Sequence, residues 1–171
     1  MLRRALVVTC TLTLLAAAAW AAEPAGTIAA PSAGFSDADL YQHVLGSIAL
    51  IKSDFGEGTG WVFNKKNRLM VTNHHVVARN QRHSEDLWVI FPVRNGDQEV
   101  IAERSYYEKH GRKLEIKARL LFSSTERDLA LIQLERLPDN VHELTLASAG
   151  ARPGELVRSV GNPGKSEALW V

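Results

Sequence analysis

From residue 47 onward, the chain alternates short apolar runs with polar or glycine-containing turns. The apolar runs are short and rich in β-branched residues, which is typical of strands rather than helices. They predict strands at residues 47–52, 61–63, 69–72, 87–93, 114–121 and 129–134. Many short strands with turn signals and little helix indicate an all-β fold, either a barrel or a sandwich.

Three segments depart from this strand pattern. Ser36 precedes two acidic positions, an arrangement typical of a helix N-cap with an acidic first turn, and it predicts a short helix over residues 37–44. Residues 94–113 are polar and predict an insertion between strands, helical at 99–110. The apolar residues 167–171 predict the start of one more strand, and we expect the chain to be truncated there.

The N-terminal segment has a separate character. Two arginines precede an uncharged apolar run that ends in Ala-Trp-Ala. This organisation predicts a secretory signal peptide over residues 1–22, cut after Ala21 or Ala22, and therefore a secreted or periplasmic protein without stable membrane insertion. The alternative is a membrane anchor, since the uncharged run reaches the lower length limit of a spanning helix. Residues 23–35, rich in Ala, Pro, Gly and Ser, are predicted to form a linker.

Charge and cysteine content exclude several functional classes. The chain has 20 Lys and Arg against 19 Asp and Glu, a net charge of +1. Such a balance gives no field that would attract nucleic acid. The single cysteine, Cys10, lies in the predicted signal peptide, so the processed chain would have neither an internal disulfide nor a thiol nucleophile. Export without disulfides is typical of a bacterial envelope protein.

Two motifs contain residues suited to proton transfer. VTNHHVVA at residues 71–78 includes His75, and RDLALIQL at 127–134 places Asp128 before a strand. A neutral imidazole accepts a proton at neutral pH, and a carboxylate on its other nitrogen fixes the tautomer. His74 and His75 could instead be a metal pair, but adjacent strand residues point to opposite faces. Asp128 could simply begin a strand or cap a turn.

Two further motifs are GTGWVF at residues 58–63 and GELVRSVGNP at 154–163. Each motif is weak alone, but in this order the four resemble the trypsin-like serine peptidases of the HtrA/Deg type over residues 46–163. The resemblance implies an all-β, trypsin-like double β-barrel. The first barrel would be complete at residues 36–152, and the second would be only begun at 153–171.

The resemblance also implies a function. The chain would belong to a serine-type endopeptidase acting on extracytoplasmic proteins or peptides, with His75 as general acid and base and Asp128 as its orienting partner. No metal or organic cofactor is implied, and the oligomeric state stays open. The family's nucleophile serine lies in a Gly-x-Ser-Gly-Gly segment that this chain lacks, so we expect the chain as given to be inactive. The alternative is a non-catalytic trypsin-like fold that acts as a binding or scaffold protein.

Overall fold

The computed structural model describes residues 36–79, 82–164 and 166–171. The predicted signal peptide and linker lie outside this part of the chain. The elements, in chain order, are α1 (Asp37–Leu45), β1 (Ile48–Ser53), β2 (Gly56–Asn64), β3 (Leu69–Thr72), α2 (His74–Val77), β4 (Ala78–Arg79), β5 (Arg82–His83), β6 (Leu87–Ile90), α3 (Arg104–Leu114), β7 (Ile116–Ser124) and β8 (Leu129–Leu134). None of the helices in the described ranges is long and apolar enough to cross a membrane.

Most strands form one closed antiparallel barrel in the order β1-β2-β3-β8-β7-β6. The ring closes where β6 pairs with β1 and Leu50 lies opposite Ile90. Strand β3 pairs with β8, which follows it much later in the chain, with Met70 opposite Ile132. The barrel confirms the prediction of an all-β fold and excludes the sandwich.

The barrel interior is filled by aliphatic side chains that alternate along the strands. On β8, Ala130, Ile132 and Leu134 are buried, whereas the residues between them are partly exposed. This period of two is the one that a strand with a single buried face requires. On β2, Gly60 has no space for a side chain, because an added Cβ would lie 2.9 Å from the Met70 sulfur. Glycine at this position allows β2 and β3 to pack closely.

A second apolar cluster covers the outer face of β1 and β6. Its buried members come from α1, β1, β6, α3 and the end of the chain: Leu45, Ile48, Leu50, Ile90, Tyr107, Leu169 and Trp170. The Tyr107 hydroxyl donates to the Ile101 carbonyl at 2.7 Å, and it accepts from Val93 N at 2.9 Å and Trp170 Nε1 at 3.1 Å. A buried hydroxyl with these partners fixes the insertion against the barrel.

The structure confirms the N-cap of α1 and corrects the helix of the insertion. Ser36 Oγ accepts a hydrogen bond from Asp39 N at 3.1 Å. The insertion is helical at Arg104–Leu114 rather than at 99–110. The prediction was wrong at the start because Asn95 Oδ1 accepts from the amides of Asp97 and Glu99. A side chain that bonds to nearby backbone in this way competes with helix formation.

Strand boundaries shift for related reasons. Strand β7 starts at Ile116 rather than 114, because Leu114 still belongs to α3. It also extends to Ser124, where it pairs with Leu129, so it is longer at this end than the predicted strand, which stops at residue 121. The small ribbon of β4 and β5 was not predicted at all, since two-residue strands leave no periodic pattern.

The strand predicted at 167–171 is not formed. Only an isolated bridge joins Ala168 to Glu103, and Trp170 adopts a positive φ of 63°. Its backbone N–H donates to the Asn162 side chain at 3.1 Å instead of joining a ladder. The buried Trp170 side chain therefore sets the backbone here.

Candidate active site

The pairing of β3 with β8 determines which residues meet at the rim of the barrel. Thr72, the last residue of β3, lies opposite Ala130 near the start of β8. Because the strands are antiparallel, the residues that follow Thr72 lie beside those that precede Ala130. His75 and Asp128 are 53 residues apart in sequence and come into contact in this way.

His75 lies in α2, a single helical turn, and not on a strand. The argument from alternating strand faces therefore does not apply to the two adjacent histidines. They nevertheless have different partners, because His74 Nε2 lies 3.3 Å from Thr125 Oγ1 whereas His75 contacts Asp128. Among the described residues, no group of three or more His, Cys, Asp or Glu side chains could hold a metal ion.

Both carboxylate oxygens of Asp128 contact His75. The imidazole Nδ1 lies 2.8 Å from Oδ2, and the His75 backbone N–H donates to Oδ1 at 3.0 Å. An ionised carboxylate only accepts hydrogen bonds, so Nδ1 must carry the proton. In the neutral ring, Nε2 then has its lone pair free, as a general base requires.

The backbone at Asp128 is held in an uncommon conformation. Its φ is 48°, in the left-handed region, which Asp and Asn tolerate better than most residues. The Asn73 side-chain amide donates to the Asp128 carbonyl at 3.1 Å and to its Oδ2 at 3.2 Å. Asp128 N in turn donates to the Thr125 carbonyl at 3.3 Å, which closes the β7–β8 turn. Asn73 therefore supports both the turn and the carboxylate.

Hydrogen bonding lowers the pKa of Asp128 below its ordinary value. The main cause is the hydrogen bond from the His75 backbone N–H, followed by the His75 ring and the Asn73 amide, while desolvation opposes them. The carboxylate is therefore ionised at neutral pH. The His75 and Asp128 side chains are 70% and 45% exposed, so water screens their attraction.

Sequence reasoning missed several residues around this pair. Asn73 belongs to the first histidine motif, which was a sufficient signal to assign it a role. Thr125 contacts His74 from a loop without a recognisable motif. Elsewhere in the chain, His142 is partly buried, with its ring 4.3 Å from that of His43.

The closed six-stranded barrel, with a second sheet only begun, matches a part of a trypsin-like fold. Residues 58–170 match the family of trypsin-like peptidase domains, and the chain belongs to this family. No curated protein matches the sequence.

Solved structures of proteases share the fold. The protease Rv3671c from M. tuberculosis H37Rv, in an inactive form, is 24% identical with a TM-score of 0.52, over 82% of this chain and 59% of that one. A serine endoprotease from Yersinia pestis is 16% identical with a TM-score of 0.52, over 77% and 41%. The HtrA-type protease AlgW, solved with a tripeptide, is 21% identical with a TM-score of 0.53, over 78% and 37%. The chain thus spans between 37% and 59% of these proteins.

Proposed function

We propose that this chain contributes the general base and its orienting carboxylate to a serine endopeptidase. His75 would be the base, and Asp128 would fix its tautomer and stabilise the imidazolium. The observation that carries the proposal is the double contact of Asp128 with the His75 ring and backbone N–H, at 2.8 and 3.0 Å. A carboxylate that merely began a strand or capped a turn would not need both contacts with one histidine.

The chemistry follows from this arrangement. A serine hydroxyl is a weak nucleophile until a base removes its proton. Nε2 of His75 would take that proton as the hydroxyl attacks the peptide carbonyl, and it would return the proton to the leaving amine. Asp128, ionised at neutral pH, would stabilise the positive charge that the ring carries between these two steps.

The nucleophile of this proposal lies outside the 171 residues. Within the described ranges, no serine hydroxyl bonds to the His75 ring. Ser166 is one of the serines of the C-terminal segment. Its hydroxyl oxygen accepts a hydrogen bond from Ala168 N, and its backbone carbonyl accepts one from the Arg104 side chain. These bonds give Ser166 a structural role instead. We therefore expect the isolated chain to be inactive as a peptidase.

The proposed substrates are proteins or peptides outside the cytoplasm. The support is the signal-like segment at residues 1–22, together with the absence of cysteine after it. A protease of the same fold, AlgW, was solved with a tripeptide. Mass determination of the N-terminus of the exported protein tests the location, with Ala22 or Glu23 expected as the first residue.

A serine-directed fluorophosphonate probe tests the function. The protein isolated from its own cells should be labelled and should cleave unfolded protein substrates, and His75→Ala should abolish both. The isolated 171-residue chain should show neither reaction. Replacement of His74, which contacts Thr125 rather than Asp128, is the matched control and should retain most of the labelling.

Two results would contradict the proposal. The first is a protein from its own cells that is folded but neither labelled nor active, which would favour a binding or scaffold role. The second is peptidase activity of the isolated chain that His75→Ala abolishes, because the nucleophile would then lie within the 171 residues.

A further inference from the structure

The turn between β1 and β2 contacts the helix that contains His75. Ser53, the last residue of β1, donates its hydroxyl proton to the Val76 carbonyl at 2.6 Å. The same oxygen accepts a hydrogen bond from Phe55 N at 3.1 Å, so it also closes the turn. A single side chain thus joins the β1–β2 turn to the residue that follows His75.

The Val76 carbonyl that Ser53 binds belongs to α2 and needs a hydrogen-bond partner outside this short helix. In a helix of one turn, the last carbonyls have no partner within the helix and need partners elsewhere. Here the His74 carbonyl accepts from Ala78 N, and the Val77 carbonyl accepts from Ser84 N at 2.8 Å. The Val76 carbonyl accepts from Ser53, which makes this hydroxyl one of the bonds that fix the orientation of α2.

The side chain of Val76 is held by the same hairpin. Val76 is buried and packs against Gly58 of β2. An added Cβ at Gly58 would overlap the Val76 side chain, so only glycine leaves room for it. The hairpin therefore holds residue 76 by its carbonyl and by its side chain.

We infer that Ser53 is a positioning residue for the candidate active site, acting through Val76 to place the His75 ring and backbone N–H on Asp128. The catalytic meaning of this role rests on the proposed function. The contacts run from the β1–β2 turn to α2 and from α2 to the β7–β8 turn. The His75–Asp128 contact therefore depends on the relative positions of these three segments. Loss of the hydroxyl should let α2 shift, and the bond from His75 N to Asp128 Oδ1 should weaken first.

The carboxyl of Asp128 reports this shift, since the His75 backbone N–H is the main cause of its lowered pKa. We suggest following the Asp128 carboxyl by ¹³C NMR as a function of pH in the full chain, in Ser53→Ala and in Ser53→Thr. The same titration in urea supplies the value for the unfolded chain. Ser123→Ala is the matched control, because it removes a half-buried hydroxyl that contacts His83 instead of α2.

We expect the pKa of Asp128 in Ser53→Ala to rise by at least half of the difference between the folded and unfolded chains. Ser53→Thr, which keeps the hydroxyl, and Ser123→Ala should leave at least nine-tenths of that difference. An Asp128 pKa in folded Ser53→Ala equal to that of the original chain would overturn the inference. If Ser53→Ala does not fold, Ser53→Cys, with its weaker donor, should give a smaller rise, and no rise would overturn the inference equally.

The titration needs no turnover, so it is independent of the fluorophosphonate experiment. An Asp128 pKa that does not change in Ser53→Ala would contradict the positioning role of Ser53 and leave the proposed function intact. Absence of labelling in the protein from its own cells would remove the proposed function instead.

Discussion

The barrel at residues 48–134 and the segment after it, residues 135–171, are stabilised in different ways. In the barrel, each of the six strands pairs with two neighbours, with one register shift in the β2–β3 pairing and one in the β7–β8 pairing. The later segment is attached by individual contacts, such as Leu144 N to the Val62 carbonyl at 3.0 Å and Leu169 N to the Ala102 carbonyl at 2.8 Å. Both members of the candidate pair, His75 and Asp128, belong to the barrel, so their contact depends on the more cooperative region.

The segment after the barrel is held by a few strong hydrogen bonds and one large buried side chain. Arg104 of α3 donates to the carbonyls of Ser166 and Pro163, at 2.6 and 2.9 Å, and it pairs with the Glu57 carboxylate. Charge-assisted bonds of this kind are the stronger class of hydrogen bond. Trp170 adds a large buried surface. The comparison shows that position 170 can be ordered without a sheet, provided that its side chain has a site in an existing cluster.

The largest effect should come from a cavity inside the barrel. Ile132 is fully buried between β3 and β7, opposite Met70 and Leu120. Ile132→Ala should lower the free energy of unfolding by about 2–5 kcal/mol, the usual cost of such a cavity. Urea denaturation followed by circular dichroism measures this loss. The neighbouring Leu131→Ala, which is only half-buried, is the control, and an equal loss in both variants would contradict the assignment of the core.

A smaller global effect is expected from Trp170→Ala, although the side chain is larger. We expect the segment to detach while the barrel remains folded, so that the loss is limited to the free energy that docks the segment. We expect less than about 2 kcal/mol in urea denaturation, compared with about 3–5 kcal/mol for a tryptophan whose whole domain depends on it.

Limited proteolysis should distinguish these outcomes. Trp170→Ala should be cut rapidly within residues 135–171 and remain resistant in the barrel, whereas Val171→Ala, which alters an exposed side chain, should behave as the original chain. Simultaneous cutting in both regions would show that they unfold as one unit.

The turn that contains Asp128 allows a finer test within the barrel. Its φ of 48° is tolerated by Asn but strained for Ala. Asp128→Ala should therefore be about 1 kcal/mol less stable than Asp128→Asn, because the left-handed conformation costs most residues about that much and Asn tolerates it better. Thermal denaturation of the two variants at neutral pH measures the difference. Equal stability would mean that the turn relaxes to another conformation.

The smallest effect is a pH dependence outside the barrel. Burial, followed by the charge of His43, lowers the pKa of His142, and Lys65 acts in the same direction. Because protonated His142 is less favourable in the folded chain than in the unfolded one, its contribution to stability is complete above pH 6.5 and decreases as the pH falls below that value. The urea midpoint of the original chain, measured relative to that of His142→Gln, should therefore fall as the pH drops below 6.5. A constant difference would contradict this.

The sequence was sufficient for the fold class and for the two residues of the candidate pair. Short apolar runs separated by polar turns predict the strands. His75 and Asp128 belong to motifs whose order along the chain resembles that of a known family. Their contact is present in the structure, while their catalytic role remains a prediction. The barrel boundary proposed at residue 152 also remains a prediction, as the last barrel strand ends at Leu134.

The features that the sequence did not predict depend on contacts between residues that are distant in the chain. Helix α2 is one turn long, and so short an element has no periodicity to read. The bond between Ser53 and Val76 joins segments that the barrel brings together, and no local pattern indicates it. At residues 167–171 the apolar pattern was real, but burial of Trp170 outweighed the preference for a strand.

Closure of the barrel has a consequence for self-association. Strand edges with free N–H and C=O groups are templates on which a second molecule can add a strand, and a closed ring has none. In the described part of the chain, open edges remain on the ribbon of β4 and β5. This ribbon has strands of only two residues, with Arg79 and Arg82 among them, and short cationic edges are poor templates for fibril growth.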